Sequence, residues 1–209
     1  MDAYTNNTSG PIELHLLQGC CREAERADLV AVGLEQLRVT LPEAFHGHLV
    51  ALTEEVRGCS NLLRDLADRS QVHISRVPIV LNYLNVVLPC LCRSLRDITT
   101  HYEDKTLSRE IRWRKMYHKM TEEAGGLPLP QRFVLYNHFL SLLKQLLTRY
   151  HPHFQLFMKT YINTILILPR SPSFDLNTLE TLRTRLLTLR EQRGIRQYHI
   201  ISNLDKNTS

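Results

Sequence analysis

The side chains best equipped for metal or nucleophilic chemistry are ten histidines and five cysteines. Their spacing argues against both. His46/His48 and His151/His153 stand two residues apart, not at the i, i+4 spacing of a helical zinc pair, and neither sits in an HExxH arrangement. His15, His73, His101, His118, His138 and His199 are isolated. Cys20, Cys21, Cys59, Cys90 and Cys92 are odd in number and form no CxxC pair, which suits reduced thiols better than a disulfide framework or a zinc cradle. On a helix, Cys90 and Cys92 point about 200° apart, so one thiol belongs in a core and the other partly outside it. There is no GxSxG, Walker-type loop, paired-carboxylate motif or dinucleotide fingerprint. The sequence therefore assigns no catalytic residue, cofactor or metal ligand, and an enzyme would need a site assembled from distant segments.

The remaining candidate chemistry is contact chemistry. From Lys105 to Lys119 there are six Lys or Arg against Glu110, so this stretch carries about +5, the net charge of the whole chain. Within it Trp113, Met116, Tyr117 and Met120 follow the i, i+3, i+4, i+7 rule on one helical face, with Arg112, Lys115 and Lys119 beside them. Arg112, Trp113, Lys115, Tyr117 and Lys119 are thus the contact candidates for a protein partner. The same cations could take anionic lipid or RNA phosphates through Arg112, Lys115 and Lys119. The bland reading is that the aromatic stripe is the core face of a surface helix.

Positioning these residues requires an all-α fold, an irregular antiparallel bundle of about six helices, because the apolar periodicity is helical throughout. The first helix spans Ile12 to Arg38, with Leu14, Leu17, Cys21, Ala24, Leu34 and Leu37 as its stripe, and Gly19 and Gly33 weaken it. The second opens at Thr40-Leu41-Pro42 and carries Phe45, Leu49, Leu52, Val56, Leu63 and Leu66 to about Asp68 to Ser70. The central core helix spans Arg76 to Thr100, with Pro78 in its first turn and a kink expected before Pro89. Arg76 to Arg93 is shorter than the roughly 20 apolar residues of a membrane span and holds two Asn and two Pro. The basic helix covers Leu107 to Glu123. The link Gly125-Gly126-Leu127-Pro128-Leu129-Pro130 then turns the chain into a helix from Gln131 to Thr148 bearing Phe133, Val134, Leu140, Leu143, Leu146 and Leu147. The last helix begins at Asn177, with Glu180 placed for a capping box, ends at Gly194, and has an arginine-rich outer face of Arg183, Arg185, Arg190 and Arg193.

Four stretches together resemble a helical region of large uncharacterised proteins of filamentous fungi: Leu95 to Thr99, Tyr102 to Ser108, Arg112 to Met120, and Gly125 to Tyr136. The resemblance covers about Ala27 to Ile195. It implies a helical fold and a fungal source, and carries no activity, catalytic residue or ligand. In those relatives the helix ending at Arg149 joins almost directly to a stretch like Ser171 to Asn177. Here Tyr150 to Arg170 intervenes without a single acidic residue and rich in Tyr, Phe, Ile, Asn and Thr. Its ends and its Tyr161-Ile162-Asn163 can be written in codons as splice and branch signals, so it reads as a retained intron translated in frame. The other reading is a true insertion packing Phe154, Phe157, Ile165 and Leu168.

The organisation expected is a disordered arm over 1–11, a helical bundle over 12–149, the atypical insert over 150–170, a bundle helix over 171–195 and a disordered tail over 196–209. The polar start lacks a signal-peptide pattern, placing the chain inside the cell, in the cytoplasm rather than the nucleus. In that setting the Asn-x-Ser/Thr matches at Asn6, Asn7 and Asn207 are chance. The expected function is a non-catalytic helical interaction or scaffold module, and the chain reads as a fragment of a larger protein.

Overall fold

A computed structural model describes the backbone over residues 10–104, 106–148 and 176–192, and the side chains of these residues save 10–17 and Ser75. The arm over 1–11 (but for residues 10 and 11), the insert, the tail, Leu14, Leu17 and Gly194 lie outside that description. Among the described residues all regular structure is helical: α1 (Gly10–Thr40), α2 (His46–Val72), α3 (Val77–Glu103), α4 (Arg109–Glu122), α5 (Leu129–Thr148) and α6 (Leu176–Gln192). Two short 3-10 turns, Glu43–Phe45 and Ile74–Arg76, lead into α2 and α3.

Pairings between helices define an irregular antiparallel bundle. Glu35 meets Arg57 and Asp28 meets Arg64, so α1 and α2 run in opposite directions. Tyr136 bonds Ser94 while Arg76 reaches the Leu147 carbonyl, so α3 and α5 also oppose each other. α1 and α3 run the same way, since Arg26 meets Cys92 and Gly33 faces the Tyr102 ring. α6 lies along α3, where Tyr83 donates to Glu180 at 2.6 Å. α3 touches α1, α4, α5 and α6, and that position explains its composition. It is the described helix long and apolar enough to cross a membrane, and it spends that apolarity as the bundle's core, burying Val80, Leu84, Val87, Leu91, Leu95 and Ile98.

Several local expectations are corrected. α1 continues through Gly19 and Gly33, where an added Cβ would lie 3.9 Å from Leu88 and 3.7 Å from Tyr102 of α3, ordinary contact distances. On α1 it is Cys20 that enters the core, and Cys21 is exposed. Pro42 caps a 3-10 turn and does not open α2 itself, and Phe45, in that turn, is only partly buried. Pro89 lies inside α3 and Pro78 in its first turn, both as expected. Val134 is 49% exposed, because Phe133, Leu135 and Tyr136 take the inward positions of that turn. Leu176 opens α6, and the Glu180 carboxylate faces Tyr83 and Arg183. Arg190, expected on the outer face of that helix, is buried beside Leu186 and Leu189.

The Gly-Gly link behaves as its residue types require. Gly125 and Gly126 adopt φ of 63° and 87°, and the Gly126 N–H returns to the Thr121 carbonyl, closing α4. On the far side of the turn Arg132, fully buried, donates from Nη2 to the Met120 carbonyl. A cation at the carbonyl end of α4 faces the negative end of that helix's dipole.

Candidate functional site

α4 begins at Ser108, whose hydroxyl accepts from the Ile111 N–H, and it presents two different faces. The apolar face points inward. Trp113 is 3% exposed and Met116 and Met120 are buried, so Trp113 is part of the core and not a contact on the helix's outer surface. Tyr117 is half-buried, its ring 5.8 Å from Trp113 and 5.8 Å edge-on to His48.

The basic face is partly neutralised by its own helix. Arg114 pairs with Glu110 at 2.8 Å and lies over the Phe45 ring, His118 stands 3.4 Å from Glu122, and Lys119 stands 3.9 Å from Glu123. Lys115 is exposed, with no ion pair among the described residues. Arg112 donates from Nη1 to the Tyr102 carbonyl at the end of α3, and its buried Nε has no acceptor. Arg112 is therefore a strut between α4 and α3 as well as a surface cation. The sequence could not show that Glu122 and Glu123, at the end of the helix, fold back against His118 and Lys119.

α4 also closes one side of a cleft of about 480 Å³ between α1 and the last turns of α3. Its wall is apolar: Val30, Leu34 and Leu37 from α1, Ile98 from α3, Trp113 and Met116 from α4. Leu29, at the lip, is 74% exposed. The polar groups are mostly cations, Arg26, Arg96 and Arg112, with His101 and Glu103. Along α1 the lining runs from Arg26 to Leu37, about 16 Å at 1.5 Å per residue. Arg26 and Arg96 belong to one end, where α1 passes Cys92, and Arg112 to the other, beside Tyr102.

The electrostatics fit binding better than bond chemistry. Burial, with Lys119 and Lys115 nearby, holds the His101 pKa below the ordinary imidazole value, favouring the neutral ring. Cys92, half-buried behind the cleft with its sulfur 3.0 Å from Arg26, has its thiol pKa raised by burial and by Glu23, so it is protonated near neutrality. Cys90 lies in the core, its sulfur 3.7 Å from the Leu186 carbonyl. Among the described residues no three His, Cys, Asp or Glu side chains converge. The cleft can hold an apolar body and place anionic groups at its two ends.

Of the sequence-predicted contacts, the structure brings Arg112 and Trp113 into the cleft and leaves Lys115 and Lys119 around its α3 edge, facing His101. Tyr117 is not in the lining. Sequence reasoning missed Arg26, Leu29 and Arg96. The one signal available was Leu29, which lies opposite the α1 core stripe of Ala24, Ala27, Ala31 and Leu34 on a helical projection.

These features define a class, an all-α bundle with an open, arginine-rimmed apolar groove. No family model, curated protein or solved structure matches the chain.

Proposed function

We propose that the chain is a non-catalytic helical interaction module that takes a protein partner across the α1–α3–α4 corner. The observation that carries this reading is the cleft itself, an apolar hollow with exposed Leu29 at its lip and Arg26, Arg96 and Arg112 in its lining. Arg112 and Trp113 contribute from inside it, and Lys115 and Lys119 extend its basic margin. The resemblance to large fungal proteins supports a module within a longer chain. Its five cysteines, three of them buried, form no disulfide, which suits the reducing interior of a cell.

RNA and anionic lipid, the alternatives raised by the basic helix, draw less support. Trp113 is turned inward, so α4 offers no stacking platform, and two of its five Lys and Arg residues, Arg114 and Lys119, face acids one turn away. An enzyme with a site assembled from distant segments also draws little, since the cleft pairs no base with a nucleophile.

The test is affinity purification from a fungal extract with the wild-type chain and with a Lys115→Glu/Lys119→Glu variant, leaving Arg112 intact because it braces the Tyr102 carbonyl. The expected result is a partner captured by the wild type and lost from the variant, with the helical circular-dichroism signal unchanged. Equal capture by both, or unfolding of the variant, overturns the assignment of this surface. Salt-sensitive binding to phosphoinositide vesicles or RNA, with no protein partner, would replace the reading.

A further inference from the structure

We infer that the cleft is a groove for a single amphipathic α-helix of the partner, with an apolar face and acidic residues at both ends of the contact. This rests on the interaction-module reading and specifies its partner.

Three observations select this occupant. The groove is about 16 Å long, three helical turns, and it opens at Leu29, whose side chain is left to solvent beside buried Val30 and Leu34. An apolar helical face anchored at i, i+3, i+4 and i+7 covers a strip of that length. Every regular element among the described residues is helical, so this surface has no sheet edge to extend with a peptide strand.

Charge complementarity supplies the third. Arg26 and Arg96 mark one end and Arg112 the other, against Glu103 as the carboxylate in the lining. Arg26 is shared with buried Glu23 and Arg112 with the Tyr102 carbonyl, but Arg96 is exposed with no ion pair among the described residues. Cations at both ends of an apolar trough match a polyanionic helix. They do not match a fatty acid, which has one charged end.

The experiment is selection from a display library of amphipathic helices about four turns long, with a fixed leucine face and flanks randomised among Glu, Gln and Lys, against the full chain. Enriched peptides are then titrated while following Trp113, the single tryptophan, which lines the groove. Enrichment of Glu flanks is expected, with a saturable change in Trp113 emission. Arg96→Gln and Leu29→Gln, both at exposed positions, should each weaken binding about tenfold, the first by an amount that shrinks in high salt. Gln or Lys flanks, or affinity unchanged in Leu29→Gln, overturn the groove assignment while leaving an interaction module in place. No enriched helix, with oleate alone saturating the Trp113 signal, overturns both.

Discussion

Two regions of this bundle use the same devices to opposite ends. Along the seam where α2 lies against α1 and α5, small residues and cross-helix polar contacts draw the helices together. Ser60 donates to the Ala24 carbonyl at 3.2 Å, Asn137 reaches both the carbonyl and the carboxylate of Glu55 at 2.8 and 2.6 Å, Arg64 pairs with Asp28, and Lys144 with Asp65. At the α1–α3–α4 corner there is again a glycine, Gly33, under a large side chain, Tyr102, whose hydroxyl donates to Gln36 at 2.8 Å. Yet that corner keeps a cleft, with a leucine exposed at its lip. Stability is concentrated along the seam, and unspent binding capacity at the corner.

The two glycines give the largest contrast. A Cβ on Gly58 would lie 2.8 Å from Asn137 Nδ2, an atom held by two hydrogen bonds to Glu55, so Gly58→Ala must break or displace that link. The expected loss, about 1–2 kcal/mol, combines the disrupted bonds with a partial return from better helix propensity. A Cβ on Gly33 meets only the Tyr102 ring at an ordinary 3.7 Å, so Gly33→Ala should stabilise by about 0.5–1 kcal/mol. Urea denaturation of both variants checks the pair, and equal shifts of the same sign would erase the distinction between a tight seam and a loose corner.

Acid should separate the regions in order. His101 at the corner has a folded pKa lowered below 6.5 by burial and by Lys119 and Lys115, while Asp97 and Glu123 oppose the shift. The unfolded chain therefore binds this proton first, and the corner loses stability as pH falls from about 6.5 through the lowered value. At the seam, the Arg64 hydrogen bond lowers the Asp28 pKa, and the Lys144 hydrogen bond lowers that of Asp65. Their stabilisation is fully present above the usual carboxylate value of 3.8 and is lost only as pH falls through the lower folded values. Trp113 emission should respond at the higher pH and helical circular dichroism at the lower. Coincident transitions, or a Trp113 response that survives His101→Gln, would show that the corner does not titrate by itself.

The helices were legible in the sequence because each has a sustained apolar stripe, and the α4–α5 turn because Gly125 and Gly126 allow the positive φ that closes a helix. What escaped was whatever depends on two distant segments meeting. Gly19 and Gly33 read as weak points, yet α1 runs through both, because its packing against α2 and α3 outweighs the local propensity. The stripe of Trp113, Met116 and Met120 was legible as a face, and its burial bears out the bland reading that this is the core face of a surface helix. The charge of α4 was countable, but its pairing with Glu110, Glu122 and Glu123 depends on rotamers. The groove was illegible because Arg26, Arg96 and Arg112 come from three helices, and only the α1–α3 register sets them around one trough.

The smallest expected effect is also the sharpest test of the contrast. If Leu29 served the fold, replacing it would cost the transfer energy of a buried side chain, about 1.5–3 kcal/mol. At 74% exposure it has little of that to lose, and glutamine keeps comparable length and helix propensity. Leu29→Gln should therefore leave stability within about 0.5 kcal/mol of the wild type, measured by urea denaturation. A loss as large as that of Gly58→Ala would mean that Leu29 packs against the chain in solution, and the corner would then be a second seam whose opening is only apparent.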